Sequence, residues 1–211
     1  MDMLTQVVII FIVILLSMTL HEAMHAYTSY WLGDDTAKLQ GRLTLNPIAH
    51  IDPFMTILLP LILAVTGAPI FGGAKPVPFD PTRVRYGDFG AALVGVAGPL
   101  TNFFIAFVAF GAMVVFGSQG MLGAFLQTAV YVNLGFFIFN MIPIPPLDGS
   151  RVLYAFAPDS ARRIMEMIEQ YGLIVIFAII ILLSPVISAF MLAAIGFFLD
   201  AFGLLFGVGM V

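Results

Sequence analysis

Residues 21 to 25 read His-Glu-Ala-Met-His. On a helix, positions i and i+4 lie one turn apart on the same face, so His21 and His25 would present two imidazoles to one point. Imidazoles so placed bind one zinc ion, and the glutamate between them, Glu22, can take a proton from water at the metal. The setting sharpens the reading. Immediately before lies LTQVVIIFIVILL, residues 4–16, without a single charge. Ionisable groups at membrane depth are costly and mark a pathway or a reaction site. The plainer alternative puts the two histidines at an interfacial helix end, with Glu22 snorkelling to water.

A catalytic zinc takes three protein ligands and keeps one position open. A metzincin-type set would need a histidine six residues after His25, where Trp31 stands. The chain has three histidines and no cysteine. His50 is therefore the one further imidazole, and Asp34, Asp35, Asp52, Asp148 and Asp200 are the candidate carboxylates. Asp148 stands out by its surroundings, NMIPIPPLDGSRV at 140–152. Pro143, Pro145 and Pro146 stop a helix and force extended backbone, and Asp148-Gly149 makes a tight turn that could aim a carboxylate back at a helix bundle. The alternative is that Asp148 only forms the turn or caps a following helix. Asn140 has two readings as well: it satisfies the helix end before Pro143, or it offers an amide to a substrate backbone or a developing oxyanion.

The elements that must position these groups are membrane helices. Of 211 residues, 61% are apolar and 9% charged, against roughly 45–50% and about 25% in soluble domains. The expected fold is an all-α polytopic membrane protein, a single integral-membrane domain over 1–211 with its core at about 4–155. A net charge of −4 without a basic patch argues against nucleic acid, and the lack of cysteine excludes a disulfide framework. Met1-Asp2-Met3 lacks the basic start of a secretory signal, so residues 4–31 are expected to stay as a span.

Five or six hydrophobic segments fall at 4–31, 54–70, 88–116, 121–142, 171–184 and 187–208. A crossing helix needs about 20 apolar residues, which 4–31, 88–116 and 121–142 supply as a three-helix catalytic core. Segment 54–70 is shorter, contains Pro60, and is expected to be re-entrant. Segment 171–208 is expected to be a helical hairpin broken at Ser184-Pro185. With 54–70 not crossing, all eight Lys and Arg residues fall on one side, which the positive-inside rule makes cytoplasmic. The first and fourth segments then end on the same face, as Asp148 requires if it is to reach the histidines.

HEAMH in the first span, GPLTN at 98–102 and NMIPIPPLDGSRV after the last core span resemble, in this order, the site-2 protease family of intramembrane zinc metalloproteases. LNPIAHIDPF and GGAKPVPFDP are similar to the short prokaryotic branch without PDZ or CBS domains. The resemblance implies one zinc per chain held by His21, His25 and Asp148, with Glu22 as general base, and Asn140 and Pro143 matching the family's Asn-x-x-Pro. It implies hydrolysis of peptide bonds within or near the transmembrane segment of single-span membrane-protein substrates: anti-sigma factors, sporulation precursors or leftover signal peptides. The enzyme would sit in the lipid bilayer of a prokaryotic cell membrane as a multi-pass protein, its active site near the cytoplasmic face. Residues 71–80 would offer an extended edge for an unwound substrate. Three rivals are weaker. A metal-ion transporter needs ligands along a crossing path, a lipid desaturase needs more than three histidines, and a non-catalytic membrane scaffold has no use for Glu22.

Overall fold

The structure, a computed structural model, describes residues 1–66 and 72–208. Among the described residues it is helical and without strands: α1 Met3–Trp31, α2 Thr36–Leu39, α3 Leu59–Thr66, α4 Asp88–Phe116, α5 Gly120–Asn140, α6 Gly149–Phe156, α7 Asp159–Gln170 and α8 Gly172–Phe206. A 3-10 turn at Pro47–His50 and a π-helical turn at Pro53–Leu58 precede α3. Among the described residues four helices, α1, α4, α5 and most of α8, are long and apolar enough to cross a membrane.

α1 starts where Asp2 accepts a hydrogen bond from the Thr5 amide at 2.7 Å, satisfying one of the free N–H groups of the first turn. Gly117, at φ 87°, takes the left-handed turn out of α4 that a side chain would resist. α4 is central, packing against α1, α5, α6 and α8. α1 and α5 run one way, α4 and α8 the other. The core lies away from the histidines, where Ile9 and Val13 of α1 meet Ala106, Ala109 and Phe110 of α4 and Val130 and Leu134 of α5. Rings of Phe103, Phe107 and Phe110 stack edgewise on Phe202 of α8. Large apolar residues such as Phe11, Phe104 and Leu182 face outward, as a lipid-facing surface requires.

The helix over 53–66 is roughly 20 Å long, short of the ~30 Å hydrocarbon core. The chain then returns to its start. The Gly73 amide donates to the Met55 carbonyl at 3.1 Å, and the Thr56 hydroxyl donates to the Gly73 carbonyl at 2.7 Å. Residues 55–56 and 73 therefore lie together, as the two ends of a re-entrant segment do; residues 67–70 of the expected segment lie outside the described residues.

The expected hairpin at 171–208 is corrected. α8 is one helix of 35 residues with Pro185 inside it. Proline removes a single N–H and its i−4 bond, whereas reversing the chain in an apolar setting would strand several backbone groups with no water to pair them.

Candidate metal centre

α1 carries His21 and His25 on the face turned to α4, and two glycines of α4 let that contact close. A Cβ built on Gly98 would lie 2.7 Å from Nε2 of His21 and would also strike the His25 ring. A Cβ on Gly95, one turn earlier, would lie 3.0 Å from the Asp148 carbonyl and 2.9 Å from Cβ of Arg151. The smallness of this face brings α1 and α6 against one stretch of α4.

Asp148 precedes α6 but makes no capping hydrogen bond with its side chain. Its Oδ2 lies 3.1 Å from Nε2 of His21 and 3.5 Å from Nε2 of His25. Gly149 permits the turn, since a Cβ there would run into the Met141 carbonyl. Among the described residues, His21, His25 and Asp148 form the group able to hold a metal ion.

The protons around this group follow from its hydrogen bonds. The Asn133 amide nitrogen donates to the Ala129 carbonyl and to the Ser17 hydroxyl, both at 2.8 Å. A carbonyl only accepts, so Asn133 Oδ1 is the atom that takes the Asn102 amide, also at 2.8 Å. Asn102 Oδ1 then faces Nδ1 of His21 at 2.6 Å, and that nitrogen must be the donor. Nδ1 of His25 donates to the Val94 carbonyl at 2.7 Å. With Nδ1 the donor in both rings, an imidazole in its neutral form would turn a bare Nε2 lone pair inward, and the two Nε2 atoms lie 3.0 Å apart. Asp148 Oδ2, which joins them, is buried and accepts no hydrogen bond among the described residues. Three converging lone pairs repel one another unless a cation sits among them. Tetrahedral zinc with bonds of 2.0–2.1 Å has ligand-to-ligand edges of about 3.3 Å, close to the 3.0, 3.1 and 3.5 Å found here. The donor set fits zinc, and the protons on Nδ1 are the outer contacts that orient histidine ligands.

Glu22, half-buried beside this triangle, accepts a hydrogen bond at Oε2 from the Val77 amide at 2.9 Å. Burial holds the Arg42 guanidinium below its ordinary value, and the Glu22 charge acts in the opposite sense. Asn140 is not bonded to the cluster; its amide donates to the Phe136 carbonyl at 3.0 Å, within its own helix.

The other candidate ligands are engaged elsewhere. Asp34 is fully buried, accepting from the Thr36 amide and hydroxyl and, at 2.8 Å, from the Asp80 amide. Asp35 pairs with Arg83 at 2.6 Å. Asp52 caps the π-helical turn through the amides of Phe54 and Met55, and Asp200 lies in α8. His50 is buried, with Nε2 donating to the Thr44 carbonyl at 2.9 Å, so it ties the 44–50 loop together. The sequence reading missed Asn102 as a partner of His21, although GPLTN contains it, and missed Ser17 and Asn133 altogether; a buried polar residue in an apolar run was the available signal.

A family model described as Peptidase family M50 matches residues 116–183. YwhC of Bacillus subtilis, assigned as a zinc metalloprotease, is 40% identical over 179 residues, covering 81% of this chain and 78% of its own length. Rip2 of Mycolicibacterium smegmatis, assigned likewise, is 29% identical over 198 residues, covering 90% of this chain and 72% of its own. Rip2 of Mycobacterium tuberculosis H37Rv is 27% identical over 194 residues with the same coverage. No solved structure matches the chain. With a relative this similar over most of both lengths, a helical membrane bundle and a His-His-Asp donor set fit for zinc, the chain belongs to Peptidase family M50, the site-2 protease family, and is a multi-pass membrane zinc metalloprotease.

Proposed function

We propose that this metalloprotease hydrolyses peptide bonds within or near the transmembrane segment of single-span membrane-protein substrates, in regulated intramembrane proteolysis. The observation that carries the proposal is the convergence of two imidazole nitrogens from the apolar helix α1 and a buried carboxylate oxygen of Asp148, beside Glu22. In this reading His21, His25 and Asp148 hold the metal and Glu22 is the general base. Residues 1–211 act as one integral-membrane protease domain.

Bound there, zinc supplies Lewis acidity, acidifying water and polarising a carbonyl. Glu22 takes the proton from the attacking water as the new C–O bond forms, and returns it to the leaving nitrogen as the C–N bond breaks. Its Oε2 is occupied by Val77, so Oε1 handles the proton. A substrate helix hides its carbonyls in internal hydrogen bonds and must unwind locally, and the freed groups then need partners. Asn140 is the proposed substrate or oxyanion contact; one of its two amide protons is on Phe136, and the second is the one to offer. His21 lies about 27 Å along α1 from Met3, by helical rise, close to the far face of the bilayer core. Water thus has a short path, from the side that the basic residues make cytoplasmic.

The test compares zinc content and cleavage of a generic single-span substrate in detergent-purified wild type, Glu22→Gln and Asp148→Ala. The expected result is one zinc per chain in wild type and Glu22→Gln, loss of zinc in Asp148→Ala, and cleavage by wild type alone. Full zinc in Asp148→Ala would overturn the ligand set. Cleavage by Glu22→Gln would overturn the general base.

A further inference from the structure

Residues 72–80 form neither helix nor strand, yet their backbone bonds follow a strict order. Gly73 donates its amide to Met55 and accepts from the Thr56 hydroxyl. Lys75 donates its amide to the His50 carbonyl at 2.9 Å and accepts from the buried Arg42 guanidinium. Val77 donates to Glu22 at 2.9 Å. Bonded groups at 73, 75 and 77 lie on one edge of an extended chain, whose period is two. The sequence Lys-Pro-Val-Pro at 75–78 imposes that conformation, since each proline fixes its own φ and keeps the residue before it extended. The far end is tied as well, by the Asp80 amide on the buried carboxylate of Asp34 at 2.8 Å. This strap is thus anchored on both sides of Val77 to three separate segments of the chain, and the Val77 amide between those anchors meets Glu22, the carboxylate between the two histidines.

We propose that the main-chain amide of Val77 is the positioning group for Glu22: the pinned strap presents a fixed N–H to Oε2 and so aims Oε1 at the water and the scissile bond. The assignment rests on the proteolytic reading above. A glutamate at the end of a half-buried side chain has three rotatable bonds, and its helix fixes none of them. Proton transfer needs its oxygen within hydrogen-bond reach of the water, and misplacement by about 1 Å costs on the order of a hundredfold in rate. An amide held by rigid backbone supplies that constraint with no side chain of its own. The arrangement also links the base to the loops that carry Arg42, His50 and Asp34, so whatever displaces the strap releases Glu22.

Two measurements test this. The first is amide hydrogen exchange read by mass spectrometry. Pro76 and Pro78 have no N–H, so a fragment over 76–78 reports Val77 by itself. Glu22→Ala is expected to speed exchange at Val77 by at least about tenfold, while Gly73 and Lys75, bonded to Met55 and His50, keep their protection. Unchanged exchange at Val77 would overturn the proposal, whatever the activity. The second replaces Val77 by its α-hydroxy acid, an ester in place of the amide that keeps the side chain and the chain geometry. The expected result is zinc content equal to wild type, a kcat lower by about ten- to a hundredfold, as for loss of a hydrogen bond to a charged group, and KM within about twofold. Val77→Ala, which keeps the N–H, loses less kcat than the ester. An ester protein with wild-type kcat, or a Val77→Ala loss equal to the ester's, would overturn the assignment. A wild-type protein that holds zinc and cleaves no membrane substrate would instead sink the proteolytic reading, with the exchange result still reporting the bond.

Discussion

Asn102 joins the metal centre to the rest of the bundle. Its carbonyl oxygen takes the Nδ1 proton of His21, and its amide reaches Asn133 on α5, which in turn holds Ser17 of α1. All three polar side chains are buried, where an unpaired group would be strongly destabilising. Because the orientation of each amide is fixed by the next and finally by the Ala129 carbonyl, the chain of bonds sets which nitrogen of His21 is free for metal. Asn102→Leu is therefore expected to weaken zinc binding by about ten- to a hundredfold, the usual effect of losing an outer contact to a metal ligand. Competition against a chelator of known affinity measures this directly, and wild-type affinity in the variant would mean that His21 is oriented by α1 alone. The proposed zinc-holding residues could be singled out in the sequence as candidates, His21 and His25 because histidines are scarce in an apolar chain, Asp148 by its proline-rich setting and the family resemblance. Asn133 could not. A single asparagine in a helix gives no sign of its partner, because that depends on the depth at which α1, α4 and α5 are aligned.

At the level of elements, the three core helices were readable within two residues by length and apolarity, and the proline-rich stretch after Asn140 marked the end of α5 correctly. α8 was not readable, because Pro185 and Ser184 look like a turn when only the sequence is considered. In the apolar setting the ladder on either side of one missing bond persists, and Phe198, Phe202 and Phe206 dock the second half of the helix on α4 and α5. Restoring the missing N–H should then help the helix. Pro185→Leu is expected to keep wild-type zinc content and to raise the unfolding temperature in detergent or leave it unchanged, since proline within a helix is unfavourable by up to about 3 kcal/mol. If residues 171–208 were a hairpin, the same change would straighten a required turn, and stability would fall. The strap shows the opposite limit of sequence reading. An extended edge over 71–80 was expected only from the family resemblance, and a main-chain amide on Glu22 leaves no mark in residue types. Phe71 itself lies outside the described residues. Gly72 carries a further lesson: a Cβ there would sit 2.7 Å from Pro60 and 2.9 Å from the Met55 carbonyl, so valine at this position would disturb the packing of the strap whether or not a substrate binds to its edge.

The whole molecule has two unlike ends. α1 and α5 finish, and α4 and α8 begin, at the end that holds the metal centre. The long connections there carry every one of the eight Lys and Arg residues, several of them in ion pairs such as Arg162 with Asp88 at 2.7 Å and Arg151 with Glu169. The opposite end has the short turn at 117–119 and no basic residue. Positive charge is retained on the cytoplasmic side of a membrane, so the charge asymmetry predicts that the metal centre opens inward. Because the chain has no cysteine, single cysteines can report this without background. Ser118→Cys, at the turn between α4 and α5, is expected to react with a membrane-impermeant maleimide in intact cells. Lys38→Cys and Arg163→Cys, both exposed at the site end, should react only after the membrane is opened. The reverse pattern would put the catalytic end outside, and the re-entrant reading of the segment after Pro53 would still be consistent, since residues 55–56 and 73 share a side. What would fail is the reading of the basic residues. Labelling of Ser118→Cys and Lys38→Cys from the same side would be more damaging. It would require an even number of crossings between residues 38 and 118, and with α4 crossing, the segment at 54–70 would have to cross too. The first and fourth spans would then end on opposite faces, and Asp148 could not stand 3.1 Å from His21.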